Sequence, residues 1–425
     1  MTLPIMTRRP SVLATAILCA LLIASAVAAQ EAALDTRLAV PVDGEPFQAR
    51  IAAVDDDWNV TLDLGSETRS LSAPDLVHWG VYQDSYRGTQ ILLANGSLLM
   101  AEVLEIADEQ IVVYGELWGQ TNLPLSLVRG VVFNPPIAPF ERDRLHEKIL
   151  TATGAQDRLL LENGDVVSGS VKGLREASET DPNDSPAVAI STEGRDVEIP
   201  IDKTAAVVFN PAMIETPKPR DFHAMMGFGD GSLAIVEHVN SDGAFVKLKL
   251  PGRVELQADP EVIWAELTLL RPFGKRVTYV SDLKSIGYKH VPFLATKWPF
   301  QTDRNVLGGR LRNAGCLYAK GLGMHTTSRL AYDLGDGYRR FQADVALDDQ
   351  AGLGGSVVFR VFLADSSGKL NREPAYESPI VRGSNKPAAV SVDVTGVSRM
   401  ALIVDFAERG DALDYANWLN ARLIK

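Results

Sequence analysis

The sequence has little cysteine. Among 425 residues only Cys19 and Cys316 occur, and Cys19 lies inside an N-terminal apolar run. If that run is removed on export, one cysteine remains, which excludes an intrachain disulfide and a cysteine-rich metal site. We therefore expect stability to come from burial of an apolar core.

Clusters of lysine and arginine are also lacking. The 42 basic residues are outnumbered by 54 acidic ones, and the formal net charge is −12. A nucleic-acid-binding surface needs many side chains that neutralise phosphates, so nucleic acid is a poor candidate partner.

Familiar catalytic motifs are absent from the sequence. It contains no His-Glu-x-x-His, no Gly-x-Ser-x-Gly and no phosphate-binding loop that ends in Lys-Ser/Thr. A glycosidase needs two carboxylates across a cleft, one of them with a raised pKa, and small β units offer no obvious deep cleft. We predict a protein that is not an enzyme, and keep a glycoside-acting enzyme with an unrecognised site as an alternative.

One long apolar run is present, close to the N-terminus. Arg8 and Arg9 precede the run at residues 12–24, and Ala26-Val27-Ala28 offers an A-x-A-like cleavage site. This order is typical of a secretory signal, so residues 1–29 are predicted to be a signal peptide. No second run approaches ~20 apolar residues. We expect an exported protein, periplasmic or extracellular, without a transmembrane segment after cleavage.

The region after the signal contains short apolar runs that partly repeat. The run before Asn95-Gly96 resembles the run before Asn163-Gly164, and Val-Val-Phe-Asn-Pro occurs at residues 131–135 and again at 207–211. Asn-Gly between apolar runs predicts a β-hairpin with a type I′ turn. We predict four β units, each a small SH3-like or Sm-like barrel or one blade of a larger all-β assembly.

Pro-rich joints set the predicted boundaries. The first and second units occupy residues 30–137, the third occupies 138–221 with a short helix and a Pro-rich linker, and the fourth occupies 222–275. The helix candidate lies within residues 140–152, and its charged run is expected to form a solvated face. The fourth unit is expected to close near Val262-Ile263-Trp264.

Residues 276–425 form a different region. Apolar and polar residues alternate at 356–362 and at 390–394. Roughly eight strands over ~145 residues predict an antiparallel β-sandwich, so the chain as a whole is expected to be all-β.

Nine segments of this region stand in a recognisable order. They are YVSDL at 279–283, DR at 303–304 with GG at 308–309, YAKGLGMH at 318–325, YDL at 332–334, YRRF at 338–341, DVALDD at 344–349, GSVVF at 355–359, VDVTGV at 392–397 and DYANWLNAR at 414–422. Together they resemble the NPCBM family of carbohydrate-binding modules. The resemblance implies a galactose-binding-like jelly roll that holds a sugar. A galactose-type glycan is one candidate for that sugar. Many members have an acidic residue just before the tryptophan of the last segment, where this chain has Asn417.

Within this region, Trp298 and the residues that follow it are candidate sugar ligands. The Trp298 indole could stack on the C–H-rich face of a sugar ring, or it could simply cover one end of the sandwich. Its loop ends in Asp303-Arg304, which could contact hydroxyl groups. Trp418, in the last strand, is expected to pack in the core.

Three further polar residues are candidates. His325 follows two glycines and could donate to a sugar hydroxyl, although a lone histidine is more often structural. Asp348 and Asp349 could orient hydroxyls or bind an ion, or they could lie in a solvated turn.

Jelly rolls of the resembled type often hold a structural calcium between the first and last strands. Calcium takes six to eight oxygen ligands, commonly carboxylates and backbone carbonyls. Asp282 and Asp414 lie at those two ends and could meet in space, so they are the predicted calcium ligands.

These observations predict a non-catalytic glycan-binding protein. Its sandwich would bind cell-surface or environmental carbohydrate, and its β repeats would act as a spacer or as a docking platform for envelope proteins. The alternative from another class is an envelope scaffold whose sandwich mediates protein contacts.

Overall fold

Strands form most of the fold. The computed structural model describes residues 36–84, 88–107, 109–178, 184–293, 295–364, 368–408 and 410–425, so the predicted signal peptide at 1–29 lies outside the described residues. Within these ranges two α-helices occur, α1 (Pro139–Leu150) and α2 (Pro260–Glu266). The all-β prediction is confirmed. No helix in the described ranges has the length and apolarity needed to cross a membrane.

The N-terminal half contains four successive units of similar topology. Their strands are β1 (Arg37–Pro41), β2 (Phe47–Val54), β3 (Asn59–Asp63), β4 (Thr68–Ser72) and β5 (Leu76–Gly80), followed by β6 (Tyr82–Gln83); then β7 (Gln90–Leu93), β8 (Leu98–Met100), β9 (Glu102–Ile106), β10 (Gln110–Gly115), β11 (Gly119–Pro124) and β12 (Val128–Val132); then β13 (Asp157–Leu161), β14 (Val166–Arg175), β15 (Ala187–Thr192), β16 (Arg195–Pro200) and β17 (Thr204–Val208); and finally β18 (His223–Phe228), β19 (Leu233–Val236), β20 (His238–Ser241), β21 (Val246–Leu250), β22 (Val254–Ala258) and β23 (Leu267–Phe273).

In each unit the first strand pairs antiparallel with the last, as β1 does with β5, β7 with β12, β13 with β17 and β18 with β23. A short helix precedes each last strand. It is a 3₁₀ turn at Ala73–Asp75, Leu125–Leu127 and Ile201–Lys203, and α2 in the fourth unit. Here the sequence prediction is wrong in detail: Val262-Ile263-Trp264 belongs to α2, and β23 closes the unit. Asp259 explains the helix, because its side chain accepts from the amides of Glu261 and Val262 as an N-cap.

The four units share one continuous sheet. β12 pairs with β17, β8 pairs with β19, and β23 pairs with β5. These contacts order the units along the sheet as third, second, fourth, first, and join 16 strands. A unit of this size buries little core by itself, and the shared ladder lets neighbouring units bury apolar surface together.

Both Asn-Gly hairpins form, but their turns are not type I′. Only the glycine has positive φ, 94° at Gly96 and 91° at Gly164. The asparagine instead uses its side chain: Asn95 Oδ1 accepts from the amide of Ser97 at 2.9 Å, and Asn163 Oδ1 accepts from Asp165 at 3.0 Å. This side-chain turn fixes the loop without a left-handed asparagine.

Helix α1 is present where the sequence predicted it. Pro139 lies in its first turn, Glu141 near its N-terminus and Lys148 in its last turn, all favourable positions. The predicted solvated face is wrong, however, because Arg142, Asp143 and His146 are buried.

The C-terminal region is a sandwich of two six-stranded sheets around one apolar core. Its strands are β24 (Val277–Tyr279), β25 (Gly287–His290), β26 (Gln301–Thr302), β27 (Leu311–Asn313), β28 (Cys316–Tyr318), β29 (Gly321–Met324), β30 (Ser328–Asp333), β31 (Arg340–Leu347), β32 (Ser356–Leu363), β33 (Tyr376–Glu377), β34 (Val381–Arg382), β35 (Ala388–Asp393), β36 (Arg399–Phe406) and β37 (Ala416–Ile424). One sheet contains β26, β29, β37, β31, β35 and β24. The other contains β25, β30, β36, β32, β33 and β34. Trp418 is fully buried between them, as predicted.

The repeats and the sandwich meet through backbone pairing and buried charge. β6 pairs with β28, so a strand of the repeats extends the β27–β28 hairpin. Beside it, Asp84 accepts from Arg142 at 2.7 Å and from Arg312 at 2.8 Å, and Arg312 also donates to Asp143 at 2.7 Å. These four side chains, 2–7% exposed, are called the junction network below. Breaking one partner of a buried ion pair leaves an uncompensated charge in a poorly solvated place.

We expect Asp84→Asn to destabilise the protein by about 3–5 kcal/mol, because two buried guanidinium groups lose their shared counter-ion. The midpoint of the first urea unfolding transition measures this. Asp63→Asn is the matched control: its partner Arg50 is exposed, so the change should cost at most about 1 kcal/mol. Equal shifts in the two variants would contradict a stabilising junction network.

Candidate functional site

Trp298 lies on a loop, and two side chains of the sandwich form hydrogen bonds with its backbone. Its amide donates to His290 Nδ1 at 3.2 Å, and its carbonyl accepts from the Tyr288 hydroxyl at 2.6 Å. Both partners lie on β25. His290 Nδ1 is an acceptor here, so its Nε2 carries the proton and donates to the Thr326 carbonyl at 2.9 Å.

The structure brings Trp298 and His325 together. Their rings stack with centroids 4.8 Å apart and planes 7° apart. Tyr415 lies 6.4 Å from the Trp298 ring and 6.1 Å from the His325 ring. Trp298 and Tyr415 are half-buried, whereas His325 is 4% exposed. These three rings, called the aromatic cluster, form a partly open surface beside the turn from β29 to β30.

His325 is poised to accept a hydrogen bond rather than to donate one. Its Nδ1 lies 3.1 Å from the Thr326 carbonyl, which can only accept, so the proton of a neutral ring sits on Nδ1. Burial lowers the pKa of His325, which favours the neutral ring. Nε2 forms no hydrogen bond with the described part of the chain and is left as an acceptor.

Asp414 supports this end of the sandwich from inside. Its carboxylate accepts from the Thr326 hydroxyl at 2.7 Å and from the Ser356 amide at 2.8 Å, and the side chain is fully buried. Burial raises the pKa of Asp414 to about 6, although both hydrogen bonds lower it. Asp414 therefore positions the segment that carries His325.

Asp303 and Arg304 do not join the aromatic cluster. Asp303 accepts from Lys320 at 2.9 Å and from the Gly321 amide at 3.0 Å. Arg304 donates to Glu147 on α1 at 2.5 Å and to the Gly308 carbonyl at 3.0 Å. Arg304 thus bridges the sandwich to the repeats.

Asp348 and Asp349 are held in structural contacts. Asp348 is 1% exposed and accepts from the Arg312 amide at 3.1 Å and from Asn417 at 2.9 Å. Burial raises its pKa, against these hydrogen bonds. Asp349 caps the turn of the β27–β28 hairpin, accepting from the amides of Ala314 at 2.7 Å and Gly315 at 2.9 Å. Neither carboxylate faces the aromatic cluster as a free ligand.

The predicted calcium ligands do not meet. Asp282 accepts from Lys320 at 2.6 Å, beside the start of β29, whereas Asp414 lies beyond the end of that strand on Thr326. Both Asp414 oxygens already accept hydrogen bonds. The described ranges contain no group of three or more His, Cys, Asp or Glu side chains placed to hold a metal. These residues therefore do not fit a shared calcium, and the expected pairing is corrected.

Two residues of the site were not singled out from the sequence. Tyr415 lies inside the last of the nine resembling segments, next to Asp414, and its position there was the available signal. His290 has no motif around it. Only the pairing of β25 with β30 brings it beside Thr326.

Comparison with known proteins identifies the domain that carries this site. The family described as the NPCBM/NEW2 domain matches residues 276–424. A Renibacterium salmoninarum protein named "Putative endo-alpha-N-acetylgalactosaminidase" is 29% identical over 167 residues, which is 38% of this chain and 10% of that protein. The chain thus spans about a tenth of the length of the curated relative it matches.

Solved structures from Clostridium perfringens are also similar. One is CBM51 from GH95 in complex with methyl-galactose, 22% identical, covering 35% of this chain and 99% of that one, with a TM-score of 0.30. Another contains CBM51-2, in complex with GlcNAc, and INT domains from ZmpB, also 22% identical, covering 47% and 38% with a TM-score of 0.30.

The buried Asp414 predicts a pH dependence of stability. Its folded-state pKa lies above its ordinary value of 3.8, so the folded protein holds the proton more tightly and stability falls as pH rises from about 4 to 6. Relative to Asp414→Asn, which does not titrate, the wild type should lose about 2–3 kcal/mol between pH 4 and 7. Urea unfolding at several pH values measures the difference, and parallel curves would contradict it.

Proposed function

Because residues 276–424 are an NPCBM/NEW2 domain, we propose that the protein is an exported, non-catalytic glycan-binding protein. The aromatic cluster is the observation that carries the proposal. It places two half-exposed rings and a neutral histidine acceptor at one end of a carbohydrate-binding-module sandwich. The repeats then serve as a spacer or docking platform, in the periplasm or outside the cell.

Each part of the cluster suits one part of a sugar. One face of the Trp298 indole is covered by His325, so a sugar would stack on its remaining surface or against Tyr415. His325 Nε2 would accept from a hydroxyl group, which replaces the donor role expected from sequence. A partly apolar surface with a few fixed polar groups is the usual composition of a small-ligand site.

In the cavity between the repeats and the sandwich, ion pairing argues against catalysis. A cavity of about 300 Å³ between the repeats and the sandwich is lined by three carboxylates, Asp143, Glu147 and Asp303. Each of them pairs with a cation, Arg312, Arg304 and Lys320 in turn. A glycosidase needs a protonated acid opposite a free carboxylate, which this arrangement does not supply.

A second candidate function, an envelope scaffold, is supported by one feature of the repeats. A groove of about 730 Å³ lies between residues 116–122 of the second unit and residues 255–259 of the fourth. Phe245 and Val262 expose 43% and 45% of their surface beside it. Such a groove suits a protein contact, and it is compatible with sugar binding at the other domain.

We expect Trp298→Ala to weaken sugar binding at least about tenfold, because the stacking surface is lost. Isothermal titration of the full chain with the best ligand from a glycan array, which should include methyl-galactoside and N-acetylglucosamine, measures this. Trp264→Ala, in α2 of the repeats, should leave affinity unchanged. A wild type without millimolar affinity for any arrayed sugar would end the proposal.

A further inference from the structure

A cluster of buried polar groups, referred to below as the pocket, lies on the outer face of the sandwich, where that face meets the repeats. Tyr279, Arg422 and Gln342 form one cross-strand row on β24, β37 and β31. Arg422 donates to the Gln342 side chain at 3.0 Å and to the Asn420 carbonyl at 3.1 Å. Its Nε is buried and has no partner.

A bulge at Asn420 turns this row outward. Asn420 has φ of 51°. Before it Trp418 packs in the sandwich core, and after it Ala421 and Leu423 do, so the alternation of core-facing residues along β37 shifts by one position. Arg422 therefore points away from that core. Its guanidinium faces the repeats, and Asn420 Oδ1 is buried beside it without a partner.

The opposite wall comes from the repeats. Arg271 on β23 is 3% exposed, and its guanidinium lies 6.0 Å from the Tyr279 ring. Its Nε and Nη1 are buried without a partner, and within the described ranges the Arg271 side chain forms no hydrogen bond or ion pair. A cation in such a position is costly unless something else in the pocket compensates it.

Apolar contacts flank the polar groups along β37. On one side Ile424 packs against Val40, Val42 and Val77 of the repeats. On the other side Leu419 packs with Leu311 of the β27–β28 hairpin. These contacts restrict access to bulk water and lower the local dielectric, which strengthens any charge interaction inside.

Formal charge in the pocket is not balanced. Arg271 and Arg422 both attract one carboxylate, Asp344, whose side chain also accepts a hydrogen bond from Asn420. Part of the Asp344 surface remains accessible to solvent. His78 contributes no charge at neutral pH, because burial and the two arginines lower its pKa to about 3. One positive charge is left over.

We propose that this pocket binds a small oxyanion, with Arg271 and Arg422 as its ligands. Arginine N–H groups donate charge-assisted hydrogen bonds to a carboxylate or a sulfate, and the unpartnered donors here are Nε and Nη1 of Arg271 and Nε of Arg422. The oxyanion balances the remaining charge and reinforces the contact between the repeats and the sandwich. This site is separate from the aromatic cluster.

Sodium acetate and sodium sulfate, added to the full chain in chloride buffer at constant ionic strength, test the proposal by titration calorimetry and by Tm. We expect saturable binding of at least one of them, with a Tm rise of about 5 °C at a hundredfold excess over Kd. The two salts distinguish a planar carboxylate from a tetrahedral anion.

Two variants move affinity in opposite directions. Arg271→Met should weaken binding at least about tenfold, whereas Asp344→Asn should tighten it roughly three- to tenfold, because it removes the competing negative charge. Arg399→Met is the control, since its exposed pair with Asp333 lies elsewhere on the sandwich. Trp298→Ala should also keep wild-type oxyanion affinity.

A linear, non-saturating rise in Tm shared by all variants is a general salt effect and would overturn the proposal. Wild-type affinity in Arg271→Met would overturn it as well. If Arg271→Met does not fold, the decision rests on Asp344→Asn, for which unchanged or weaker affinity counts against the site.

Discussion

The junction network is the interaction on which the arrangement of this protein depends. Asp84 and Arg312 are 228 residues apart in sequence, and their side chains meet 2.8 Å apart in a place with almost no solvent. Each charge is tolerable there only while its partners are in position, because an isolated buried ion is strongly disfavoured. The sandwich is therefore fixed to the repeats by charge pairing and strand pairing together.

This constraint determines which polar residues of the sandwich remain for a ligand. Arg304 is held by Glu147, and Asp348 is held by the Arg312 amide and Asn417, so both serve the junction and its neighbouring hairpin. The aromatic cluster is built on other elements: the loop after β25, the end of β29 and the residue before β37. Binding and assembly thus use different surfaces of one domain. The buried Arg422 of the sandwich and Arg271 of the repeats form a third chemical environment where the two parts meet.

Sequence reasoning recovered part of the candidate site for physical reasons that can be named. Trp298 and His325 were predicted as candidates, and the structure stacks them, because both lie in loops at one end of the sandwich. Asp348 and Asp349 were misjudged, because the sequence does not show whether backbone amides will already donate to a carboxylate. Asp282 and Asp414 were expected to meet because they flank the first and last strands. Their side chains instead lie at opposite ends of β29.

The sequence by itself determined the strand pattern, the hairpin positions, helix α1 and the family of the C-terminal domain. These depend on local periodicity, turn residues and short motifs, which act over a few residues. Tertiary structure alone decided that the charged face of α1 is buried and that Arg271 faces Arg422. It also decided that four units share a single sheet. Contacts between distant segments depend on how complete surfaces fit, and no local pattern in the chain encodes which charge will find which partner.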